Sequence, residues 1–440
     1  MYSTIVKHLI SPLSDIILGL SINKELKRIR SIQWYPKEEL LNLQLLKLKN
    51  ILSHSEKNIP YYSTIFKKNN YDNNGDTLKE LKKIPFLTKT IIKKNLPSKI
   101  LDKNSRIYAK EKTSGSSGHQ GVYYLDKSAY SKVIAIQSLW WEWSGFRFGD
   151  RVLQTGMTTK RGFIKSIKDW LFRVNYTQAF LMDEKTVKNK LLPLVNKRAF
   201  FMGYASSLYT YARYAEKQNI RKVQFEAVVS WGDKMFPHYR SLIEKVFHTK
   251  VYDTYGAAEG LMIAAECENH IYHIMTPHVF VEILDKDGEE VKEGEIGEVF
   301  VTSLTNYLMP LIRYKIGDLA IKSSVKECPC GRSLPILEKI IGRDTDIVYT
   351  SKGKALIVHF FTGILEHVHE IKQFQVYQKN KGSEIEIKYR KGDNFQSTVL
   401  EEIKSEMYKK AEEQFLIVFS EVDKIDPSPS GKPQIVIRGY

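Results

Sequence analysis

The stretch Thr113-Ser114-Gly115-Ser116-Ser117-Gly118-His119-Gln120-Gly121 decides the fold that this chain is expected to adopt. Its three glycines lack a Cβ and can take positive φ, so the backbone can come close to a bulky anion. Phosphate oxygens could then be surrounded by free amides and by four hydroxyl side chains, those of Thr113, Ser114, Ser116 and Ser117. The composition suits a nucleotide triphosphate, although an exposed flexible loop would have the same composition.

The residues on either side of this loop favour the binding interpretation. Residues 108–110 and Val122-Tyr123-Tyr124-Leu125 are typical of two short strands, which would hold the loop as a hairpin tip. The loop is not a Walker motif, because that motif needs a Gly-Lys-Ser/Thr sequence opening a helix and the lysine is absent here.

Length and composition indicate a globular protein of more than one domain. The chain has 440 residues, too many for one ordinary core, and its hydrophobic content of 42% argues against disorder. The net charge is +17, and residues 1–100 hold 18 Lys and Arg against 8 Asp and Glu. These cations are scattered and accompany no groove-binding helix or RNA-binding sheet signature, so we expect no nucleic-acid partner.

The sequence predicts no membrane-spanning helix, because no run of 18 apolar residues occurs. The first 20 residues come nearest, with apolar side chains at near-helical spacing: Ile5, Leu9, Leu13, Ile16, Ile17 and Leu20. We expect a packed terminal helix there rather than a signal peptide. A surface helix against an anionic leaflet stays open, helped by four nearby cations: Lys24, Lys27, Arg28 and Arg30. Three cysteines in the whole chain argue against a disulfide framework and for the cytoplasm.

The order of periodic segments predicts the fold class. A helix is expected over residues 36–58, stopped by Pro60, and another over 128–144 with Trp140, Trp141 and Trp143 on it. Between 150 and 260 short strands alternate with helices, which indicates βα units on a largely parallel sheet. An antiparallel meander is expected over 279–302. We therefore predict a large α/β N-terminal domain over 1–342, with multiple layers and a β-rich part, and a small α+β domain over 343–440.

Three later stretches gain meaning beside the loop. Residues 252–259 place Tyr255, Gly256 and Glu259 at an expected strand-to-helix turn, where a ring can stack on a base and a carboxylate can hold a hard cation. Residues 313–318 offer Asp318 after an expected tight turn, suited to accept ribose hydroxyls. Residues 428–433 present Lys432 on a Pro/Gly-stiffened loop, where its charge could neutralise a transferring phosphoryl group.

Taken in this order, the stretches resemble the adenylate-forming superfamily of acyl-CoA synthetases, adenylation domains and luciferases. The likeness is greatest to its phenylacetate–CoA ligase-like branch and, within that, to proteins of capsular polysaccharide biosynthesis clusters. It rests on the segments 43–60, 113–121, 255–259, 310–314, 342–343 and 431–432. The resemblance implies a small C-terminal domain that rotates between two half-reactions.

The resemblance also implies a role for each candidate residue. Residues Thr113 to Gly118 would grip the ATP phosphates, Tyr255 and Gly256 would lie against adenine, Glu259 would hold Mg²⁺ and Asp318 would bind the ribose. Arg343 would lie at the interdomain joint, and Lys432 would promote adenylate formation. Gln120 and Gly121 stand where the family often has lysine, and Ala258 replaces a hydroxyl residue. These departures keep open a non-catalytic nucleotide-binding scaffold of a polysaccharide assembly complex.

All three cysteines lie between Glu259 and the expected domain boundary, and they are candidate ligands of a structural zinc ion. Cys267 and His273 would supply one pair and Cys328 and Cys330 the other, completing the four ligands that zinc needs. Three reduced thiols without a metal are the alternative. We prefer His273 to His270 as the fourth ligand because it lies nearer the strand that starts at Val279, and the resembling branch often carries such a cluster.

The function expected from the resemblance is an ATP- and Mg²⁺-dependent ligase that converts a carboxylic acid to an acyl-adenylate. The acyl group would pass to the thiol of CoA or to an amine, which could be sugar-linked; both acceptors stay open. A role in surface or capsular polysaccharide biosynthesis, a homodimer and peripheral membrane contact through the basic N-terminal third are further expectations. The substrate acid would be read by pocket residues, for which the sequence suggests Trp140, Trp141, Tyr204 and Trp231.

Overall fold

The computed structural model describes residues 2–112, 121–157, 162–180, 183–220, 222–343, 346–366, 368, 370–392, 394–426 and 434–440. The chain folds into two compact units. The described residues up to Ile316 belong, with Ile321–Lys339, to the N-terminal unit, and Gly317–Ala320 belongs with Ile340–Tyr440 to the C-terminal unit. The functional domain boundary at residue 343 stays a prediction.

Fourteen α-helices lie within the described residues. They are α1 (Tyr2–Ile5), α2 (Ser11–Leu18), α3 (Ile22–Ile32), α4 (Lys37–Asn58), α5 (Pro60–Lys68), α6 (Thr77–Lys82), α7 (Lys89–Asn95), α8 (Lys127–Trp143), α9 (Phe163–Leu171), α10 (Glu184–Leu191), α11 (Ala205–Lys217), α12 (Pro237–Phe247), α13 (Val358–Leu365) and α14 (Thr398–Ala411). A π-helical turn over Val6–Ile10 joins α1 to α2. Among the described residues no single helix is long and apolar enough to cross a membrane. The segments Tyr2–Leu18 and Ile22–Ile32 reach that length and hydrophobicity only when taken together, and they are bent by 118° relative to each other.

Nineteen strands lie within the described residues. They are β1 (Ala109–Lys112), β2 (Val122–Leu125), β3 (Val152–Gly156), β4 (Val174–Gln178), β5 (Phe200–Tyr204), β6 (Val228–Trp231), β7 (Val251–Ala257), β8 (Leu261–Glu266), β9 (Tyr272–Ile274), β10 (Val279–Leu284), β11 (Ile296–Ser303), β12 (Tyr314–Lys322), β13 (Ile336–Arg343), β14 (Ile347–Tyr349), β15 (Ala355–Ile357), β16 (Ile371–Gln378), β17 (Ile385–Lys391), β18 (Ile417–Glu421) and β19 (Val436–Arg438).

The main sheet has eleven strands in the order β10-β11-β12-β13-β9-β8-β7-β6-β5-β3-β4. Its half from β4 to β7 is parallel, as the alternating βα pattern predicts, and the pairing turns antiparallel at β7 and β8. Hydrophobic side chains of β3, β5 and β6 are buried because helices cover a parallel sheet. The α/β fold class and the meander over 279–302 are confirmed.

Two local expectations are wrong. Residues 252–259 do not lead into a helix, because β7 continues to Ala257 and turns back antiparallel into β8. Asp318 does not follow a tight hairpin but lies within β12, where Gly317 has φ +90°. The helix predicted over 36–58 does end before Pro60, and that proline then starts α5, since a proline at the first helical position loses no hydrogen bond that the helix would make.

The C-terminal unit has a four-stranded sheet in the order β18-β17-β16-β19. The antiparallel pair β16 and β17 forms its centre, and α14 supplies buried Ile403 and Met407. This mixture of strands and helices agrees with the α+β organisation predicted for residues 343–440.

Candidate functional site

The carboxylate of Glu259 is the centre of the candidate site. Glu259 lies in the turn between β7 and β8 and is almost completely buried. The hydroxyl of Tyr314 donates a hydrogen bond of 2.8 Å to Glu259 Oε1, and the hydroxyls of Tyr123 and Tyr314 are 2.9 Å apart. A buried carboxylate needs such donors, because desolvation would otherwise strongly disfavour its charge.

The two tyrosines remain donors across the physiological pH range. Burial, followed by the negative charge of Glu259, raises the pKa of both Tyr123 and Tyr314 above the ordinary value of 10.0. Tyr123 also lies two residues beyond Gly121, the last residue of the Gly/Ser stretch. The hairpin of β1 and β2 therefore holds Tyr123 in the hydrogen-bonded chain that runs through Tyr314 to Glu259.

Glycine and histidine hold the turn that carries Glu259. Gly260 has φ +80°, and a Cβ there would lie 2.9 Å from Leu125 Cδ2, so another side chain would be strained and crowded. His278 Nε2 lies 3.0 Å from the carbonyl oxygen of Gly260, and Thr305 Oγ1 lies 2.7 Å from His278 Nδ1. Burial lowers the pKa of His278 to about 3. The neutral ring therefore donates from Nε2 to the carbonyl and accepts the Thr305 hydroxyl at Nδ1.

Arg313 stabilises the backbone next to Tyr314. Its guanidinium Nη2 lies 2.9 Å from Glu282 Oε1, and its Nη1 donates to the carbonyl oxygens of Lys82 and Ile84, both at 3.1 Å. Arg313 and Glu282 are both buried. Because Tyr314 follows Arg313 directly, this ion pair fixes the backbone that presents the Tyr314 hydroxyl to Glu259.

The other predicted nucleotide residues differ in what the structure describes of them. Tyr255 and Gly256 lie on β7, where Tyr255 is buried and a Cβ on Gly256 would lie 2.8 Å from the carbonyl oxygen of Leu261. Asp318 lies on β12 and Arg343 ends β13, both in the C-terminal unit. Thr113, Ser114, Gly115, Ser116, Ser117, Gly118 and Lys432 lie outside the described residues. The roles of all these residues stay predictions.

Aromatic side chains collect at the carboxyl ends of the parallel strands, where α/β sheets usually bind ligands. Tyr204 ends β5, and its ring packs against Gly232, where a Cβ would lie 2.5 Å from Tyr204 Cε1. Trp231 ends β6 and stacks on Trp141 with ring centres 6.2 Å apart. Trp140, by contrast, is buried in a hydrophobic core cluster with Trp143, which assigns its ring to packing rather than to a substrate pocket.

Cys267, His273, Cys328 and Cys330 form the second cluster of chemical interest. Their ligand atoms all lie within 4.8 Å of one another. Cys267 Sγ is 3.6 Å from Cys328 Sγ, and Cys330 Sγ is 3.3 Å from His273 Nε2. A tetrahedral zinc site with Zn–S bonds near 2.3 Å would have S···S edges of about 3.8 Å, so these residues fit the ion.

The surroundings of the cluster orient His273 as a ligand. His273 Nδ1 lies 3.1 Å from the carbonyl oxygen of Leu334, so it carries the proton and leaves the Nε2 lone pair directed at the cysteines. Burial lowers the pKa of His273, which keeps the ring neutral. His270 instead lies with its Nδ1 3.6 Å from Glu266 Oε2 and is not one of the four. The geometry thus agrees with the preference for His273.

The cysteine thiols have unequal acidity. Burial raises the pKa of Cys267 to about 12. Burial also opposes ionisation of Cys330, but the backbone N–H and guanidinium of Arg332 outweigh it and lower the pKa of that thiol. Arg332 is fixed by Gln33 Oε1 at 2.9 Å and Glu268 Oε2 at 2.7 Å. Cys330 is therefore the thiol that would ionise first on meeting a metal ion.

Sequence reasoning assigned no role to Tyr123, His278 or the hydroxyl of Tyr314. Tyr123 could have been suspected from its position two residues beyond the glycine loop. The role of His278 could not be suspected, because its contact with Gly260 depends on how β8 and β10 are placed.

Comparison with known proteins agrees with this architecture. Residues 348–439 match the family model "CapK C-terminal domain". The chain is 26% identical over 433 residues to Protein CapK of Staphylococcus aureus, covering 94% of this chain and 92% of that one. It is 24% identical over 398 residues to the phenylacetate-coenzyme A ligase of Thermus thermophilus, covering 85% and 86%.

The fold is also found in solved structures. A 2-hydroxyisobutyryl-CoA ligase in its postadenylation state superposes with a TM-score of 0.72 at 18% identity, covering 90% of this chain and 88% of that one. Taken together, the fold and these relatives support the adenylate-forming superfamily. Within that superfamily, the chain is similar to the phenylacetate–CoA ligase-like branch and to CapK.

Proposed function

We propose that this protein is an ATP-dependent ligase that activates a carboxylic acid as an acyl-adenylate and transfers the acyl group to CoA. The observation that carries the proposal is the buried carboxylate of Glu259, held by Tyr314 beside the carboxyl end of the Gly/Ser loop. Relatives named as phenylacetate-coenzyme A ligases support the same activity.

In the first half-reaction, a carboxylate oxygen of the acid attacks the α-phosphorus of ATP, and the bond from that phosphorus to the pyrophosphate oxygen breaks. Thr113 to Gly118 would hold the phosphates, and Glu259 would hold Mg²⁺, which neutralises phosphate charge when bound. Lys432 would stabilise the negative charge that develops on the transferring group. Positioning and charge stabilisation are sufficient for this step, so no nucleophilic side chain is required.

In the second half-reaction, the thiolate sulfur of CoA attacks the acyl carbon and AMP leaves. The thiol proton is lost to solvent or to a base before the attack. A sugar-linked amine is the alternative nucleophile, and it is the one that a role in surface polysaccharide biosynthesis favours. That role rests on the similarity to CapK.

The primary test is ATP–pyrophosphate exchange over a panel of aromatic, fatty, hydroxy and amino acids. Lys432→Ala should abolish exchange while leaving ATP binding intact. Lys424→Ala is the matched control, because Lys424 is an exposed lysine of the same unit paired with Asp426. ATP binding without exchange for any acid would contradict the proposal and support the scaffold alternative.

A second pair of variants tests the Glu259 site. Glu259→Gln should raise the Mg²⁺ concentration needed for exchange, and Tyr314→Phe should do so to a smaller extent because only one donor is lost. Glu298→Gln, which changes a carboxylate paired with Lys315 away from the site, is the control and should behave as wild type. Equal Mg²⁺ dependence in all four proteins would contradict the assignment.

The acceptor is identified with a radiolabelled acid once exchange is found. Label recovered as a CoA thioester supports the ligase as proposed, whereas label retained on an amino sugar shows acid–amine ligation.

We further propose that Cys267, His273, Cys328 and Cys330 hold a structural zinc ion. Elemental analysis of the purified protein should find about one zinc per chain, as four ligands require. Cys330→Ser should lose it, and His270→Ala, a histidine beside the cluster but outside it, should retain it. Retention of zinc by Cys330→Ser would contradict the ligand set.

A further inference from the structure

The first helical segment of the chain, residues 2–18, has its polarity reversed relative to an ordinary surface helix. Its protein-facing side buries two polar residues, Ser11 and Asp15, and one apolar residue, Val6. The opposite side carries five exposed apolar side chains at the spacing of one helical face: Ile5, Leu9, Leu13, Ile16 and Ile17. Ile16 and Ile17 expose 77% and 73% of their surface. A helix that covers a core would present the reverse pattern.

The buried polar side is fully bonded, so this orientation is built into the fold. Asp15 Oδ2 accepts hydrogen bonds of 2.8 Å from both the backbone N–H and the side-chain amide of Asn23. Gly19, with φ +62°, ends the segment, and Lys127 Nζ donates to the carbonyl oxygen of Leu18 at 3.0 Å. The segment is therefore held against α3 and α8 with its apolar side outward.

Helix α9 adds a second exposed apolar row next to the first. Phe163, Ile167 and Trp170 follow one another at the spacing of one helical face, and Phe163 and Trp170 expose 81% and 75%. The two helices meet at one end, because the Tyr2 hydroxyl donates to the carbonyl oxygen of Leu171 at 2.8 Å. We call these eight side chains the N-terminal apolar face: Ile5, Leu9, Leu13, Ile16, Ile17, Phe163, Ile167 and Trp170.

Cations accompany this face. Residues 2–32 contain five Lys and Arg against Asp15 and Glu25, and residues 163–173 contain three against Asp169. Six of these cations are exposed on the helices that carry or adjoin the face: Lys7, Lys24, Lys27, Arg28, Lys165 and Lys168. An apolar face with exposed Trp and Phe, accompanied by Lys and Arg, is the composition of helices that lie at an anionic bilayer surface.

The same features argue against two other uses of this face, contact with a second copy of the chain and insertion across a bilayer. A symmetric contact between two copies would bring two net-positive surfaces together, which is unfavourable. Insertion across a bilayer is excluded by α3, whose Leu26, Ile29 and Ile32 are buried in the core with Trp140.

We propose that the N-terminal apolar face binds the surface of a membrane containing anionic lipid, with residues 2–18 and α9 lying in the headgroup region. Ile16, Ile17, Phe163 and Trp170 insert into the acyl boundary, and the surrounding Lys and Arg contact lipid phosphates. The interaction places the N-terminal unit on a lipid surface whichever acid the ligase activates.

The test is flotation of the full chain with two kinds of vesicle, one of phosphatidylcholine alone and one with about 30% phosphatidylglycerol. Wild type should float with the anionic vesicles and release as salt rises from about 0.1 M to about 0.5 M. Ile16→Ser/Ile17→Ser should bind about 30-fold more weakly, the loss expected for two partly buried isoleucines. Leu41→Ser/Leu46→Ser, which removes two exposed leucines from α4, is the matched control and should bind as wild type.

A second measurement does not depend on the folding of the isoleucine variant. Brominated acyl chains should quench the fluorescence of wild type on anionic vesicles, and Trp170→Phe should lose most of that quenching. Absence of vesicle binding by wild type overturns the proposal, and so does equal binding by the two double variants. Sedimentation velocity tests self-association. If wild type is a dimer that does not bind vesicles, and Ile16→Ser/Ile17→Ser is a monomer, the face serves self-association and the proposal is overturned.

Discussion

The buried carboxyl group of Asp253 should make the N-terminal unit less stable as pH rises through neutrality. Asp253 accepts hydrogen bonds from the hydroxyls of Ser230 and Tyr272, the second at 2.5 Å from Oδ2. The carboxylate of Glu266, bound by Arg240 at 2.7 Å, lies beside it and accepts the backbone N–H of Asp253. Burial, and then the negative charge of Glu266, raise the pKa of Asp253 from 3.8 to about 7.

The sign of the effect follows from proton binding. Between the unfolded pKa and the folded pKa, the folded chain holds a proton at Asp253 that the unfolded chain has lost, so stability falls as pH increases. The stability that the protonated Asp253 contributes is present near pH 4, declines as pH rises and is lost above about pH 7. With the two pKa values of 3.8 and about 7, the loss between about pH 5 and about pH 8 is about 2.5 kcal/mol.

The assay is urea unfolding followed by tryptophan fluorescence at about pH 5 and about pH 8. All six tryptophans lie in the N-terminal unit, so the signal reports that unit alone. Asp253→Asn keeps the shape of the side chain and removes its titration. Wild type should lose about 2.5 kcal/mol more than Asp253→Asn across this range. Other titrating groups affect both proteins alike, so an equal change in the two, or a gain in wild type, would refute the reasoning.

Two further predictions use matched pairs of variants and the same unfolding assay. Arg313→Ala should lower the free energy of unfolding by about 3–5 kcal/mol because it leaves a buried carboxylate unpaired. Lys315→Ala breaks a partly exposed ion pair and should lower it by less than about 1 kcal/mol. Similar losses in the two variants would show that burial does not decide the cost. Gly260→Ala and Gly294→Ala both place a side chain at positive φ, but only Gly260 is crowded, by Leu125. Gly260→Ala should therefore lose about 1–3 kcal/mol more and reduce ATP–pyrophosphate exchange; equal losses would show that the contact relaxes freely.

The sequence predicted the long periodic elements best, because their pattern repeats over several turns. Helices α4 and α8 and the pair β10 and β11 lie within a few residues of where periodicity placed them. The region after β7 was predicted wrongly as a helix. Residues 261–266 form a short apolar run, and such a run does not distinguish a buried strand from one or two turns of helix.

The residues of the candidate site also differ in how well the sequence predicts them. The cysteine cluster could be predicted because the chain has only three cysteines and zinc needs four nitrogen or sulfur ligands, so the cysteines and a nearby histidine were the natural set. The chain from Tyr123 through Tyr314 to Glu259 could not, because its residues come from three distant segments that only the fold brings together. The first helix shows a third limit: its apolar spacing predicted a packed terminal helix, which is wrong because the apolar side chains point to solvent, and spacing alone does not reveal that orientation.

The position of β13 in the main sheet affects how the protein can assemble during synthesis. Strands β7, β8 and β9 pair with their sequence neighbours, so the parallel half can be extended as the chain emerges. The meander of β10, β11 and β12 instead joins that half through β13, which pairs with β9 at residues 336 and 337. The edges of β9 and β12 that flank β13 therefore stay unpaired until the ribosome has released β13, some sixty residues beyond β9. A chaperone could bind these edges in that interval.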